Sequence, residues 1–176
     1  MNLCGLLSFH FAYRYPERLK TLTLVTSPGP SFTQHSLGKM GSHEVYHPVW
    51  GVDDKQKARV IAEFGPGNEA LALWRHEEGW KCPMEGTRGY FRAAATCEVN
   101  VEEFLPKIDV PTLYMMGAEH KRIISVPDAQ RLCDLMPRAR LVTFPGVTAQ
   151  CQFVIPEKCA AEVVRFIKEQ AAAARS

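Results

Sequence analysis

The sequence has little net charge, no long apolar run and no closely spaced cysteine pair, and each absence excludes a class of protein. Its 21 lysine and arginine residues are offset by 19 aspartate and glutamate residues, which leaves a formal net charge of +2. A nucleic-acid-binding protein concentrates basic residues on one face. The densest basic spot here, His120-Lys121-Arg122, is too small for that. We therefore expect no nucleic-acid partner.

No stretch of the 176 residues is apolar over the length that a membrane-spanning helix requires. The apolar start, 1–11, is interrupted by His10 and lacks the basic flank and the cleavage site of a signal peptide. The cysteines form no C-x-x-C pair, which favours buried or half-buried thiols in a reducing compartment. They are Cys4, Cys82, Cys97, Cys133, Cys151 and Cys159. We therefore expect a cytoplasmic protein without a membrane partner.

The composition that remains is that of a globular domain, with 46% hydrophobic and 23% charged residues. Residues 1–30 and 106–176 alternate between helix-like and strand-like patterns, which predicts a parallel sheet with flanking helices. Residues 31–105 are polar and helical in short pieces, which predicts an inserted helical cap. The predicted helices are 4–14, 53–64, 69–78, 88–97, 126–136 and 156–173, and the predicted strands are 22–26, 111–116 and 140–144. In the last helix the side chains expected to face inward are Cys159, Val163, Phe166 and Ile167.

Aromatic residues are frequent in the predicted cap and have two interpretations. They could line a pocket under the cap for a small apolar ligand, or they could form the core of the cap itself. These residues are Trp50, Trp74, Trp80, Tyr90 and Phe91. Both interpretations stay open at this point.

Four segments resemble an α/β-hydrolase, since they stand in the order and at the spacing of that family. They are Tyr13-Arg14-Tyr15-Pro16-Glu17-Arg18-Leu19, Ile108-Asp109-Val110-Pro111-Thr112-Leu113 with Gly117, Arg140-Leu141-Val142-Thr143-Phe144-Pro145-Gly146, and Pro156-Glu157 with Val163 and Phe166. The resemblance covers the C-terminal two thirds of that fold. It implies an α/β architecture that retains the last three strands of the parallel sheet, with flanking helices and a helical cap inserted after the first of those strands.

The chemistry of that family requires a nucleophile in a G-x-S-x-G turn, which is a serine or sometimes an aspartate or cysteine, together with a histidine and an acid. Counted from the segments above, the resemblance puts the nucleophile at Asn2, the acid at His120 and the histidine at Ala149. No histidine follows His120 in the sequence, so a small shift of the alignment restores no base. All three catalytic positions are therefore altered in this interpretation.

Two nearby residues are the closest substitutes. Cys4 lies in the first turn of the predicted helix, where a thiolate is stabilised, although it also fits as a small apolar residue. Glu119 could replace the acid from a shifted loop, although Glu119-His120-Lys121-Arg122 also fits a solvated polar loop. These alternatives stay open.

His43-Glu44-Val45-Tyr46-His47 matches the H-E-x-x-H motif of zinc metalloproteases. The motif needs a helix, and Gly41 and Pro48 leave little room for one. Since no third ligand follows at a typical distance, we favour surface histidines in a cap loop. We expect no metal and no other cofactor.

Two functional hypotheses follow. The first is a truncated or degenerate hydrolase relative, a pseudoenzyme with a binding or accessory role in small-molecule metabolism. The second is a working hydrolase or lyase-type enzyme that acts on a small apolar ester or lactone by a non-triad mechanism or with a partner chain. Because the chain is shorter than this family by roughly a third, we also expect an open edge at the first strand, where a second copy or a partner chain could pair.

Overall fold

A computed structural model of the chain describes residues 3–30, 54–81, 99–120, 124–148 and 151–175. Contacts divide the chain into two compact units, one formed by Met1–Ser31 with Val99–Ser176 and the other by Phe32–Glu98. The first unit therefore includes 99–105, which the sequence prediction assigned to the cap. The reason is burial, because Val101, Phe104 and Leu105 lie in the core of the first unit.

The helices and strands largely follow the predicted pattern. In chain order they are α1 (Leu3–Arg14), β1 (Leu22–Val25), α2 (Asp54–Phe64), α3 (Glu69–Trp80), α4 (Val101–Phe104), β2 (Thr112–Gly117), α5 (Val126–Leu135), β3 (Ala139–Phe144), α6 (Cys151–Val154) and α7 (Pro156–Ala173). The predicted helix at 88–97 lies outside the described residues. The short helices α4 and α6 were not predicted, because four residues are too few to show a helical period.

Three parallel strands form one sheet in the order β1-β2-β3. Leu22 of β1 pairs with Thr112 of β2, and Thr112 pairs with Ala139 of β3. This confirms the predicted parallel sheet. The central strand β2 is buried along its whole length, whereas β3 is only half-buried. On β1, Leu22 and Leu24 are buried, whereas Thr23 and Val25, which alternate with them, are partly exposed.

The core of the first unit has a cluster on each face of the sheet, because alternate residues of β2 point to opposite faces. Tyr114 and Met116 pack with residues of α1 and α5, while Leu113 and Met115 pack with residues of α7. The inward face of α7 contains Cys159 and Phe166 as predicted, but Ile167 is 46% exposed. Adjacent helical residues are about 100° apart, so Phe166 and Ile167 do not both face the sheet.

The second unit is described by α2 and α3. Val60 and Phe64 of α2 and Ala72 of α3 are buried. Trp74, one of the aromatic residues predicted to line a pocket or to form the cap core, is 51% exposed. The side chains of the other predicted pocket aromatics, Trp50, Trp80, Tyr90 and Phe91, lie outside the described residues. Among the helices that the structure describes, none is both long enough and apolar enough to cross a membrane.

Candidate functional site

The loops that follow the three strands lie at one edge of the sheet, because the carboxyl ends of parallel strands share an edge. The loops after β2 and β3 are joined by main-chain hydrogen bonds that continue the ladder beyond the strands. The N–H of Ala118 donates to the carbonyl of Phe144 at 2.9 Å, and the N–H of Glu119 donates to that of Val147 at 3.1 Å. This edge is the candidate site.

Gly117 makes the approach of these two loops possible. A Cβ at this position would overlap the main-chain carbonyl of Val147. Directly after it the chain turns, and the N–H of His120 donates to the carbonyl of Gly117 at 3.3 Å. The turn carries His120 back towards the loop after β3.

His120 is buried at this edge, with 2% exposure. Its Nδ1 lies 3.0 Å from the main-chain carbonyl oxygen of Thr148. Because a carbonyl only accepts, Nδ1 carries the proton, and in the neutral ring Nε2 is the unprotonated nitrogen. The solvated-loop interpretation is therefore wrong for His120, while Glu119 is exposed as that interpretation predicts.

The N-terminus of α1 lies beside the loop after β1. Cys4 is in the first turn of α1, as predicted, but its side chain is exposed, so the expectation of a buried small residue is wrong. The position that requires a small residue is the next one. A Cβ on Gly5 would overlap the Oγ of Ser27. The first turn of α1 is thereby packed directly against the loop after β1.

Sequence reasoning missed the residues that connect β1 with β2 at this edge. Thr26 has a φ of 48° and is buried, and Ser27 follows it, also buried. The hydroxyl of Tyr114, a buried β2 residue, donates to the carbonyl of Ser27. Burial raises the pKa of Tyr114, so this hydroxyl stays protonated. The sequence feature that could have indicated these residues is the break at Ser27-Pro28-Gly29-Pro30, which follows directly after a predicted strand.

Solved structures have a similar fold. An enzyme from a Medee basin deep-sea metagenome library, described as an alpha/beta hydrolase, superposes with a TM-score of 0.69 and 20% identity, over 93% of this chain and 62% of that one. This chain has an α/β-hydrolase fold. A thermophilic esterase from Thermogutta terrifontis gives a TM-score of 0.75 at 17% identity, over 94% of this chain and 62% of that one. The enol-lactonase from Burkholderia xenovorans gives 0.67 at 15%, over 93% and 62%.

The α/β-hydrolase fold is thus shared over nearly the whole of this chain, which spans about three fifths of the length of those structures. The sequence resemblance is confirmed for the fold, including its three parallel strands. No protein-family model matches the sequence, and no curated protein does.

Within the α/β-hydrolase fold, the structure brings together only part of the predicted site. His120 contacts the loop that leads to Ala149 through Thr148, while Asn2 and Ala149 themselves lie outside the described residues. His43, Glu44 and His47 lie outside them as well. In the part of the chain that is described, no group of three or more His, Cys, Asp or Glu side chains is placed to hold a metal ion.

Proposed function

We propose that this chain uses its α/β-hydrolase fold to bind a small apolar molecule and does not hydrolyse it through a Ser-His-acid triad. The observation that supports this is the hydrogen bond between His120 and Thr148. His120 stands where the resemblance places the acid. A triad acid accepts a hydrogen bond from the Nδ1–H of the catalytic histidine, whereas the Nδ1–H of His120 donates one to Thr148. The polarity of this contact is opposite to the one that a triad needs.

The other two positions support the same conclusion. The amide of Asn2 does not ionise to a nucleophile near neutral pH, and the methyl of Ala149 cannot accept a proton. Loss of one triad member already lowers the rate by several orders of magnitude. With all three positions altered, hydrolysis would have to rely on other groups.

The proposed class of ligand is taken from the activities for which the structurally similar proteins are named. One is an esterase and another an enol-lactonase. We carry over only the chemistry of their ligands and propose that this chain binds a small ester or lactone without turnover. A binding or accessory role in small-molecule metabolism follows from that.

The proposal is tested with the full chain and two assays. We expect the hydrolysis of nitrophenyl acetate and nitrophenyl butyrate to equal that of buffer, and a fluorophosphonate probe to leave the chain unlabelled. An active esterase under the same conditions is the positive control. A panel of small lactones should raise the melting temperature of the chain, because a ligand that binds only the folded state stabilises it. Stoichiometric labelling, or the absence of any ligand-induced shift, would contradict the proposal.

A second candidate function is hydrolysis without the triad, and the tautomer of His120 favours it. With Nδ1–H held by the Thr148 carbonyl, the neutral ring has its basic nitrogen at Nε2, as a general base requires. The exposed thiol of Cys4, in the first turn of α1, is the nucleophile in this alternative. A partner chain could complete such a site.

Two substitutions decide between these candidates if ester hydrolysis is detected. In the second function, Cys4→Ala and His120→Asn should each lower the rate to that of buffer. Cys133→Ala, which removes a buried thiol from α5, is the matched control and should leave the rate unchanged. Hydrolysis that survives both substitutions would exclude this mechanism.

A further inference from the structure

An exposed apolar stripe runs along α1. Leu7, Phe11 and Tyr15 are spaced four residues apart, and they are 65%, 40% and 40% exposed. Residues at this spacing are neighbours on one face of a helix, and the ring centroids of Phe11 and Tyr15 are 5.3 Å apart. The core contacts of α1 are made by other residues, among them Phe9 and Ala12. Since the outer face of a surface helix is ordinarily polar, the stripe is a candidate contact surface.

The helix that carries this stripe packs on the strand at the open edge of the sheet. Phe9 of α1 shares a buried cluster with Leu22 and Leu24 of β1. Among the described residues β1 has one neighbouring strand, β2, and the N–H of Leu22 donates to the carbonyl of Pro111 at 2.9 Å. In a parallel pair alternate residues bond to the same neighbour, so the N–H and the carbonyl of Thr23 point away from β2. A strand edge and an apolar helix face therefore belong to one region of the surface.

The contact between Gly5 and Ser27 fixes the level at which α1 lies along β1. A Cβ on Gly5 would overlap the Oγ of Ser27, so the first turn of α1 lies just beyond the end of β1. From there α1 runs back towards the start of β1, to which a short connection joins it. Thr23 precedes Ser27 by about 13 Å of strand, a distance that a helix covers in about nine residues. Thr23 therefore lies level with the part of α1 near Arg14 and Tyr15.

The charges at this level are complementary to those of an identical copy. α1 contains no lysine, arginine, aspartate or glutamate before Arg14, and β1 contains none. Arg14 and Glu17 are exposed, and neither forms an ion pair within the described part of the chain. About a two-fold axis, two residues that meet across the interface do so twice, with their roles exchanged. An axis near Tyr15 thus brings Arg14 of each copy towards Glu17 of the other.

We propose that a second copy of this chain occupies this surface, related by a two-fold axis that is perpendicular to the sheet and passes between the two copies of Thr23. The N–H of each Thr23 donates to the carbonyl of the other, as in an antiparallel pair, and joins the two sheets into one. Such an axis keeps both copies of α1 on the same face of the joined sheet, where Phe11 and Tyr15 of the two copies cover each other. The association does not depend on the proposed function, because none of these residues belongs to the candidate site.

Sedimentation equilibrium of the full chain measures this association. Phe11→Gln should weaken it by roughly tenfold or more, because the substitution removes an aromatic ring from the interface. Ile167→Gln is the matched control, since Ile167 is a similarly exposed apolar residue on α7, which packs on the other face of the sheet. This control should leave the association unchanged. The melting temperatures of both variants show whether the fold is retained.

Charge reversal tests the symmetry of the contact and does not depend on whether Phe11→Gln folds, because both residues involved are exposed. Arg14→Glu and Glu17→Arg each place like charges across the axis and should each weaken the association by about tenfold. The double variant restores opposite charges and should associate as the wild-type chain does. A double variant that associates no better than the single ones overturns the proposal. Association that survives Phe11→Gln, or a wild-type chain that is monomeric at all concentrations, also overturns it.

Discussion

The Nδ1–H of His120 donates a hydrogen bond to the main-chain carbonyl of Thr148, 3.0 Å away, and joins the loops after β2 and β3. We expect His120→Asp to destabilise the chain by roughly 3 kcal/mol or more, because a buried carboxylate would face a carbonyl oxygen that cannot donate to it. His120→Asn keeps an N–H donor and should cost only about 1 kcal/mol. Urea unfolding at pH 7 measures both values. An Asp variant as stable as the Asn variant would contradict the polarity of this contact.

The contact between Gly5 and Ser27 gives a second prediction. Glycine to alanine inside a helix ordinarily stabilises by about 1 kcal/mol. In Gly5→Ala the new Cβ overlaps the Oγ of Ser27, so we expect a net loss of about 1–3 kcal/mol instead.

The matched control for this prediction is a second substitution. Ser27→Gly removes both the Cβ and the Oγ that the new methyl group would meet, so Gly5→Ala in that background should no longer destabilise. Urea unfolding of the four combinations measures the coupling. If the changes in the free energy of unfolding of the two single variants simply add in the double variant, the side chains at the two positions do not overlap.

Buried thiols make stability depend on pH in the alkaline range. Burial raises the pKa of Cys133 and of Cys151 to about 12 each, from a usual value of 9.0. Between pH 9 and 12 the unfolded chain therefore binds fewer protons than the folded chain. The free energy of unfolding should be undiminished below pH 9 and fall as the pH rises, by up to about 1.4 kcal/mol per pH unit for each thiol.

Unfolding by urea at pH 8.5, 9.5 and 10.5 tests this dependence. Cys133→Ala should reduce the loss of stability across that range, because one titrating group is removed. Cys4→Ala is the matched control and should leave the loss unchanged, since that thiol is exposed. A loss that is equal in the wild-type and Cys133→Ala chains would contradict the assignment.

The expected pairing of two copies along the open edge of β1 can be tested by removing a main-chain donor from that edge. The N–H groups of Leu22 and Thr26 donate to carbonyls on the β2 side at 2.9 Å. In a parallel pair alternate residues bond to the same neighbour, so the N–H of Thr23 points away from β2. Thr23→Pro removes that donor without breaking the β1–β2 ladder, and should convert a self-associated chain to monomer in sedimentation equilibrium.

Thr143→Pro is the matched control on the opposite edge. Arg138 and Phe144 accept from N–H groups on the β2 side at 2.8 and 2.9 Å, so the N–H of Thr143 points away from β2. This variant should leave association unchanged if copies pair along β1. A wild-type chain that is monomeric at all concentrations would exclude the predicted association.

Much of the fold could be predicted because it depends on local patterns. The run Thr112–Gly117 contains no charged residue, which matches a strand buried on both faces, and Pro156 opens a helix whose bounds agree with the prediction. The exposed position of Ile167 could not be predicted from periodicity alone. Residues 166 and 167 are both apolar, and the sequence pattern does not show which of the two faces the sheet.

The sequence by itself determined the order of strands and helices, the parallel sheet and the resemblance to an α/β-hydrolase, because apolar period, turn residues and connection lengths are local properties. Only the tertiary structure decided which side chains meet at the edge of the sheet. His120 belongs to a polar stretch, yet it is buried because Gly117 lets the loop after β3 approach. Likewise Ser27 of the loop after β1 meets Gly5 of α1. Such contacts depend on the distance between segments in space, and sequence spacing does not contain that distance.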